Sequence, residues 1–96
     1  MPWVYIVQCA DGAYYTGSTA LEDVEARVWE HNNDDHRGAN FTRSRRPVCL
    51  VFAEFSERTD DVFAREKQIQ GWSRAKKKAL IEGDWARIVE LSRGKS

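Results

Sequence analysis

"VYIVQCADGAYYTG", residues 4–17, is the stretch that decides the fold. Two runs of β-branched and aromatic residues flank the dipeptide Asp11-Gly12 within it. Such a dipeptide between two apolar runs is a strong signal for a β-hairpin. We therefore predict two paired strands at the start of the chain, over residues 3–9 and 13–17.

The length of the hairpin loop decides where the tyrosines of the hairpin point. A two-residue loop would place Tyr5 and Tyr15 on opposite faces. A three-residue loop ending at Gly12 pairs Val7 with Tyr15, which places both tyrosines on one face. The longer loop requires a positive φ at its last position, which glycine adopts without steric cost. We therefore predict the three-residue loop, with Tyr14 on the opposite face in the core.

The next helix and strand are predicted from capping and apolar patterns. Thr19 and Glu22 form a capping-box pattern, which predicts a helix from about residue 20 to residue 31. Its apolar stripe consists of Leu21, Val24 and Val28. A polar loop follows, and the run over residues 48–55 is apolar at nearly every position. Such a run is typical of a strand covered on both faces, so we predict a central strand there.

Three more helices are predicted in the last third of the chain. Thr59 opens the first of them, which runs through about Gln70, and Ser73 caps the second, which ends near Gly83. Asp84 caps the last helix. The apolar side of this helix is predicted to carry Trp85, Ile88, Val89 and Leu91.

The predicted order of elements is β-β-α-β-α-α-α. This order indicates an α+β domain with a small three-stranded antiparallel sheet flanked by helices. The chain has 96 residues, enough for one modest core, so residues 1–96 are predicted to form a single domain. The sequence contains no apolar run of about 20 residues and no signal-peptide pattern at its start, so we expect a cytoplasmic protein that does not bind membranes.

Basic residues are concentrated in two segments, although the chain has 15 basic and 15 acidic residues. "RSRR" occupies residues 43–46 and "RAKKK" residues 74–78. A single lysine is usually an ordinary solvated charge, but such segregation allows a basic face that holds a polyanion. We therefore expect nucleic-acid contacts from Arg43, Arg45, Arg46, Arg74, Lys76 and Lys77.

Three side chains are unusual for a purely structural role. Glu66 lies on the apolar stripe of its predicted helix, where an unpaired carboxylate costs several kcal/mol. Arg27 and His31 are four residues apart, so they stack on one ridge of the first helix. Each has a structural alternative: Glu66 paired with Arg27 or Arg65 or bent out to solvent, Arg27 on the surface, or His31 as a cation near a helix C-terminus.

Taken in order, these segments resemble the motifs of the GIY-YIG nuclease superfamily, in particular its small stand-alone bacterial members. The first motif corresponds to "WVYIV" and the second to "YTG". "ARVWEH" and "AREKQI" match the helical segments that carry the remaining motif residues. Trp3 replaces the leading glycine of the first motif, and Thr16 replaces the middle isoleucine of the second.

The resemblance implies a role for each motif residue. Tyr5 and Tyr15 would be the paired active-site tyrosines, and Arg27 would hold the scissile phosphate. His31 would position the attacking water or a phosphate oxygen. Glu66 would be the single protein ligand of Mg²⁺ or Mn²⁺. We expect Tyr5 to act as the base and Tyr15 as the positioning group, with nearby Arg27 and the metal lowering the phenol pKa.

From this resemblance we expect a metal-dependent endonuclease that hydrolyses phosphodiester bonds with low sequence specificity. DNA is the expected substrate in preference to RNA, and DNA repair is one expected setting. The chain is expected to be a monomer or weak dimer, and a protein partner could target it to its substrate.

The sequence leaves two alternatives to a nuclease open. Many members of the superfamily carry a basic residue soon after the second motif and an asparagine after the glutamate. Here Ser18 and Thr19 follow the second motif, and "SRAKKKALI" contains no asparagine. These departures favour a non-catalytic nucleic-acid-binding module. The other alternative is a protein-interaction domain whose exposed apolar patch is formed by Trp29, Trp72 and Trp85.

Overall fold

The computed structural model describes residues 2–20 and 22–93, which form three strands and five helices. The elements are β1 (Trp3–Gln8), β2 (Tyr14–Thr19), α1 (Val24–Asn33), α2 (Asn40–Arg43), β3 (Cys49–Phe55), α3 (Thr59–Gln70), α4 (Arg74–Glu82) and α5 (Trp85–Arg93). The strands form one antiparallel sheet in the order β2-β1-β3. The predicted α+β class is confirmed. The one-turn helix α2 is an addition within the segment that we predicted to be a loop.

The hairpin has the predicted three-residue loop. Val7 pairs with Tyr15 and Tyr5 with Gly17. The Cys9 N–H donates to the Ala13 carbonyl at 2.8 Å, and Gly12 has φ 88°. Glycine is suited to this position because a side chain would be strained at such a φ. The register places both motif tyrosines on one face of the sheet.

The central strand of the sheet is β1, so the prediction of a central strand over residues 48–55 was wrong. Residues 4–7 are at most 1% exposed, whereas β3 is an edge strand with no fully buried residue. Val4 and Ile6 pack on one face of β1, and Tyr5 and Val7 pack on the other. The apolar run of β1 is therefore the one that is covered on both sides.

Helices cover both faces of the sheet. On the first face, α3, α4 and α5 bury Val62, Ile69, Ala79, Leu80 and Ile88 against Val4 and Ile6. On the second face, α1 buries Val24 and Val28 against Tyr5 and Val7. The sheet is thus the middle of three layers, and each face has its own apolar cluster.

Helix α1 begins later than predicted. Asp23 is its N-cap residue and accepts a hydrogen bond from the Glu25 N–H at 2.9 Å. The predicted capping box was wrong because Thr19 is the last residue of β2 and pairs with Trp3. Val24 and Val28 are buried as predicted, and Leu21 lies outside the described residues.

The remaining helices agree closely with their predicted ends. Ser73 caps α4 through the Lys76 N–H at 3.2 Å, and Gly83 ends it at φ 71°. Helix α3 begins at Thr59, but no side chain caps it. Of the predicted apolar side of α5, Ile88 is buried, whereas Trp85 and Val89 are 61% and 50% exposed. None of the helices in the described part of the chain is long and apolar enough to cross a membrane.

The three tryptophans do not form one apolar patch. Trp29 lies on α1 and Trp85 on α5, and these helices pack on opposite faces of the sheet. Trp72 packs against the first-face cluster, and the cations of Arg65 and Lys76 lie over its ring at 5.3 and 4.3 Å. The surface expected for a protein-interaction domain is therefore not formed by these residues.

Replacing Ile69 with alanine tests the role of the first-face cluster. Ile69 is fully buried between α3 and the sheet, so we expect Ile69→Ala to lower the free energy of unfolding by about 2–5 kcal/mol. The matched control Val89→Ala removes an exposed side chain and should change it by less than about 0.5 kcal/mol. Urea denaturation followed by tryptophan fluorescence measures both, and equal effects would contradict the assigned packing.

Candidate active site

The motif side chains meet at the β2 edge of the sheet. Helix α1 brings Arg27 and His31 to the second face, next to Tyr5. Helix α3 packs on the first face, and its Glu66 contacts Ser18 of β2. Because β2 is an edge strand, side chains from the two faces can approach each other around it. The structure therefore brings Tyr5, Tyr15, Arg27 and His31 into contact. Glu66 reaches the same strand edge through Ser18.

Tyr5 is enclosed at the centre of this group. Its hydroxyl oxygen lies 2.7 Å from His31 Nε2 and 3.3 Å from Arg27 Nε, and the Tyr5 and His31 side chains are 0% exposed. A Cβ atom at Gly17 would lie 2.6 Å from the Tyr5 hydroxyl oxygen. Any larger residue at position 17 would therefore displace Tyr5, which explains the glycine of the second motif.

Burial raises the pKa of both tyrosines. Loss of water raises the pKa of Tyr5 to about 12, although the neighbouring Arg27 acts in the opposite direction. Burial also raises the pKa of Tyr15, again against Arg27. The expectation that Arg27 helps to lower a phenol pKa has the right sign, but desolvation is the larger effect. Both phenols are therefore protonated at neutral pH in this structure.

His31 is neutral at pH 7. Burial, with a smaller contribution from the positive charges of Arg27 and Arg46, lowers its pKa to about 4, while Glu30 opposes this change. His31 Nδ1 lies 2.9 Å from Thr42 Oγ1. The alternative of a cationic His31 that interacts with the helix dipole does not hold, because the side chain has no contact with water.

Arg27 is held in place beside an open cleft. Its Nη1 donates to the Glu30 carboxylate at 2.9 Å and to the Arg37 carbonyl at 2.5 Å, while Nε donates to Tyr5. Its Nη2 makes no hydrogen bond within residues 2–20 and 22–93, and the side chain is 19% exposed. The cleft has a volume of about 450 Å³ and is lined by Ser18, Thr19, Ala20, Arg27, Glu30 and Arg37.

Glu66 presents a carboxylate with no cationic partner among the described residues. Ser18 Oγ donates to Oε1 at 2.6 Å, and Gln70 Nε2 donates to Oε2 at 2.9 Å. Arg65 pairs instead with Glu54 at 3.1 Å and Arg27 with Glu30 at 2.9 Å, so neither of the ion pairs considered for Glu66 is formed.

A hydrated divalent cation fits this carboxylate. The side chain is only partly buried, and two neutral donors fix it without neutralising its charge. The described residues contain no group of three His, Cys, Asp or Glu side chains that could hold a metal ion. Mg²⁺ commonly uses one or two carboxylates and completes its shell with water and substrate oxygens. Glu66 is suited to this mode of binding.

Tyr15 differs from Tyr5 in its access to solvent. It is half-buried, with its ring edge on His31 at a centroid distance of 5.3 Å and its face stacked on Phe41 at 5.8 Å. Its hydroxyl makes no hydrogen bond within the described part of the chain and is not one of the buried polar atoms that lack a partner there, so solvent can contact it. Of the two motif tyrosines, Tyr15 is therefore the one that a water or phosphate oxygen can reach.

The arginines of "RSRR" make internal contacts. Arg43 donates to the backbone carbonyls of Asp35 and Gly38. Arg45 pairs with Asp11 at 3.1 Å and lies over the Phe41 ring at 4.0 Å. Arg46 donates to the His31 carbonyl at 2.7 Å and pairs with Asp35 at 2.9 Å. These contacts hold the segment between α1 and β3 against the site.

The basic residues of α4 lie on the first face. The Arg74 guanidinium lies over the Tyr14 ring at 4.3 Å, and Lys76 lies over Trp72. Burial lowers the pKa of Lys77, which is partly enclosed. Tyr14 is the first residue of β2, so Arg74 is next to the same edge strand as the cleft, whereas Trp72, the partner of Lys76, lies in the turn between α3 and α4.

Four residues of the site escaped sequence reasoning: Ser18, Glu30, Arg37 and Thr42. Glu30 could have been found, because it is three residues after Arg27 and such pairs face each other on a helix. Ser18 gives no comparable signal, because its partner Glu66 is 48 residues away. Thr42 gives none either, because its contact with His31 depends on where α2 packs. Sequence reasoning does not reveal such tertiary hydrogen bonds.

The pH dependence of stability tests the burial of His31. Its pKa falls from 6.5 unfolded to about 4 folded, so the unfolded state binds the extra proton first. Stability should fall by up to about 3 kcal/mol as pH drops from about 6.5 to 4. We expect His31→Gln to abolish this loss of stability at low pH, as measured by urea denaturation at a series of pH values. The control His36→Gln replaces an exposed histidine and should retain it; identical slopes in all three proteins would disprove the burial of His31.

Comparisons with known proteins agree with this geometry. The chain is 46% identical over 81 residues to a UPF0213 protein of Halobacterium salinarum, covering 84% of this chain and 100% of that protein. It is 45% identical over 80 residues to a UPF0213 protein of Staphylococcus aureus, covering 83% of this chain and 93% of that protein. The solution NMR structure of a UPF0213 protein from Bacillus halodurans superposes with a TM-score of 0.54 and 33% identity, covering 96% of this chain and 98% of that one.

A family model identifies the domain. Residues 1–79 match the GIY-YIG catalytic domain, which includes every motif residue placed at the β2 edge. Domains of this family are in general nucleases that depend on a divalent metal. The match and the level of identity to the UPF0213 proteins show that this chain belongs to the GIY-YIG family.

Proposed function

We propose that this chain is an endonuclease that hydrolyses phosphodiester bonds in nucleic acid, DNA in preference to RNA, with Mg²⁺ or Mn²⁺ as its cofactor. The observation that carries the proposal is the immobilised Arg27 guanidinium, which faces an open cleft whose wall includes Ser18, the residue that holds Glu66. A fixed cation in the cleft, with an unneutralised carboxylate held by a residue of the cleft wall, suits a phosphate ester and its metal ion.

Arg27 would bind a non-bridging oxygen of the scissile phosphate. Three of its contacts, to Tyr5, Glu30 and the Arg37 carbonyl, fix the guanidinium before substrate arrives. The remaining Nη2 is then available to donate toward the cleft. A donor that is already oriented stabilises developing negative charge without a reorganisation cost at the moment of reaction.

Glu66 would hold the metal ion. Ser18 and Gln70 fix both of its oxygens, so the carboxylate is oriented before a cation binds. A Mg²⁺ bound there would supply Lewis-acid stabilisation of the leaving oxygen. Many members of the superfamily have a basic residue soon after the second motif, whereas here Ser18 follows that motif directly and would position the metal-binding carboxylate.

We assign the contact with the attacking water to Tyr15 and a supporting role to Tyr5. The expected base, Tyr5, has its hydroxyl enclosed by His31, Arg27 and Gly17. Tyr15 is open to solvent, and its raised pKa keeps the phenol neutral at pH 7. A neutral phenol oxygen can orient water by accepting a hydrogen bond, and the proton released on attack passes to solvent.

The β2 edge offers a path for a nucleic-acid strand. Along its first face, Arg74 lies over Tyr14, Gln70 contacts the Thr16 carbonyl and Glu66 contacts Ser18. At about 3.3 Å per residue, Tyr14 and Ser18 are about 13 Å apart, a distance that spans roughly four nucleotides of one strand at 3.4 Å each. Arg37 at the cleft and Arg74 farther along β2 would contact phosphates, which carries no sequence information.

A non-catalytic nucleic-acid-binding module is the second candidate function. The raised pKa values of both motif tyrosines favour it, because neither phenol is poised to accept a proton at neutral pH. In such a module Arg27 would still bind phosphate, but the protein would not hydrolyse the phosphodiester bond.

We also propose that residues 1–96 act as one domain in the cytoplasm, as a monomer or weak dimer. The two apolar clusters share β1, which supports a single folding unit. A protein partner could supply targeting, because the proposed phosphate contacts do not discriminate between sequences.

Nicking of supercoiled plasmid separates the two candidates. The wild type should nick plasmid with Mg²⁺ and not with EDTA, and Glu66→Gln should lower the rate at least about 100-fold because it removes the metal-binding charge. The control Glu57→Gln changes an exposed carboxylate and should nick as the wild type does. Binding without nicking by wild type and both variants would favour the module.

Salt dependence of binding tests the phosphate contacts. Arg37 is exposed at the cleft, so Arg37→Ala should weaken binding of all sequences alike and reduce the slope of log K against log salt by about 1. Fluorescence anisotropy of a labelled oligonucleotide in EDTA measures this without cleavage. Arg87→Ala on α5 is the control, and an equal change in its slope would argue against the assigned path.

A further inference from the structure

Thr42 makes a buried contact that none of the motifs includes. It lies on the one-turn helix α2, its side chain is fully buried, and its Oγ1 is 2.9 Å from His31 Nδ1. The same oxygen is 3.0 Å from the Ala39 carbonyl. On the other side of the imidazole, His31 Nε2 is 2.7 Å from the Tyr5 hydroxyl. Both ring nitrogens are therefore engaged inside the protein.

These contacts determine where each proton lies. A carbonyl only accepts, so the Thr42 hydroxyl hydrogen points at Ala39. The Thr42 oxygen then accepts from His31 Nδ1–H. A neutral imidazole carries one such hydrogen, so Nε2 accepts from the Tyr5 hydroxyl. The Tyr5 oxygen is left with lone pairs, and Arg27 Nε–H donates to one of them at 3.3 Å.

The opposite tautomer would leave buried groups unpaired. If Nδ1 accepted from Thr42, the Ala39 carbonyl would lose the Thr42 hydroxyl and keep only the Arg43 N–H, at 3.1 Å, as a donor. Nε2–H and Arg27 Nε–H would both point at the Tyr5 oxygen, and the Tyr5 hydrogen would have no acceptor within residues 2–20 and 22–93. Unpaired polar groups in a site without water are unfavourable, so the first arrangement is the stable one.

We propose that Thr42 is a positioning residue that fixes the tautomer of His31, and through His31 orients the Tyr5 hydroxyl and Arg27. The chain of donors runs in one direction, from Arg27 through Tyr5 and His31 to Thr42 and the Ala39 carbonyl. Thr42 is about fifteen residues from Arg27 in sequence and reaches it only through two buried side chains. Its effect on catalysis rests on the proposed nuclease function, whereas its effect on the tautomer does not.

The tautomer can be observed directly in the unaltered protein. Long-range ¹H–¹⁵N spectra of protein labelled at histidine distinguish Nδ1–H from Nε2–H imidazole. We expect His31 of the wild type to be neutral at pH 7 with its proton on Nδ1. A wild-type spectrum with the proton on Nε2 would overturn the proposal without any mutation.

Two substitutions separate the hydroxyl from the volume of Thr42. Thr42→Val keeps the shape but removes the acceptor for Nδ1–H, so the His31 proton should move to Nε2 or become distributed over both nitrogens. Thr42→Ser keeps the hydroxyl and should retain the wild-type spectrum. The exposed His36 is an internal control whose signals should be the same in all three proteins. An unchanged His31 spectrum in Thr42→Val would refute the assignment.

Nicking assays add the catalytic consequence. Misplacement of an oriented group can cost up to about 100-fold, so Thr42→Val should lower kcat about 10-fold or more and Thr42→Ser should stay within about 3-fold of wild type. KM should change little, because neither variant removes a group that faces the cleft. If Thr42→Val alters the His31 tautomer but leaves kcat unchanged, the link between the tautomer and catalysis is refuted. If the wild type does not nick plasmid, the nuclease proposal fails and the spectra still decide the role of Thr42.

Discussion

The hydroxyl of Tyr5 is the group around which the structure is arranged. It lies on the central strand, at a point that water does not reach, and such a group must find its hydrogen-bond partners within the protein. Those partners are His31 and Arg27, so α1 has to pack against the second face at the point where both side chains reach the Tyr5 hydroxyl. Gly17 has to leave the space that the hydroxyl fills. One buried polar atom thereby couples the position of a helix to the composition of a neighbouring strand.

The site also depends on the placement of β2 at the edge of the sheet. Side chains on opposite faces of a sheet are normally separated by its backbone. Here Arg27 comes from a helix on the second face and lines the cleft, and Glu66 comes from a helix on the first face and contacts the edge strand β2. Ser18 belongs to this edge strand and is the residue that links Glu66 to the cleft wall.

Local chemistry determined which features could be predicted from the sequence. Gly12 requires one loop length and hence one register, and Ser73 and Gly83 delimit a helix by their own conformational preferences. The pattern of Thr19 and Glu22 was equally local but misleading, because pairing of Thr19 with Trp3 extends β2 through the expected cap.

Other features depend on burial and on long-range contacts, which the sequence does not display. The expected influence of Arg27 on Tyr5 is present, yet desolvation exceeds it and raises the phenol pKa. The partner of Glu66 was sought among nearby cations, whereas the structure provides Ser18, 48 residues away. Likewise, the apolar run over residues 48–55 did not reveal that β1 would occupy the middle of the sheet.

The two edges of the sheet differ in what can be added to them. The outer side of β2 carries the cleft and contacts Gln70 of α3, so a further strand or domain there would obstruct the site. The outer side of β3 has no neighbouring strand among the described residues, and its backbone groups can pair with an additional strand. Enlargement of this architecture, by insertion or by fusion to another module, is therefore directional: it can proceed outward from β3 without blocking access to the cleft at the β2 edge.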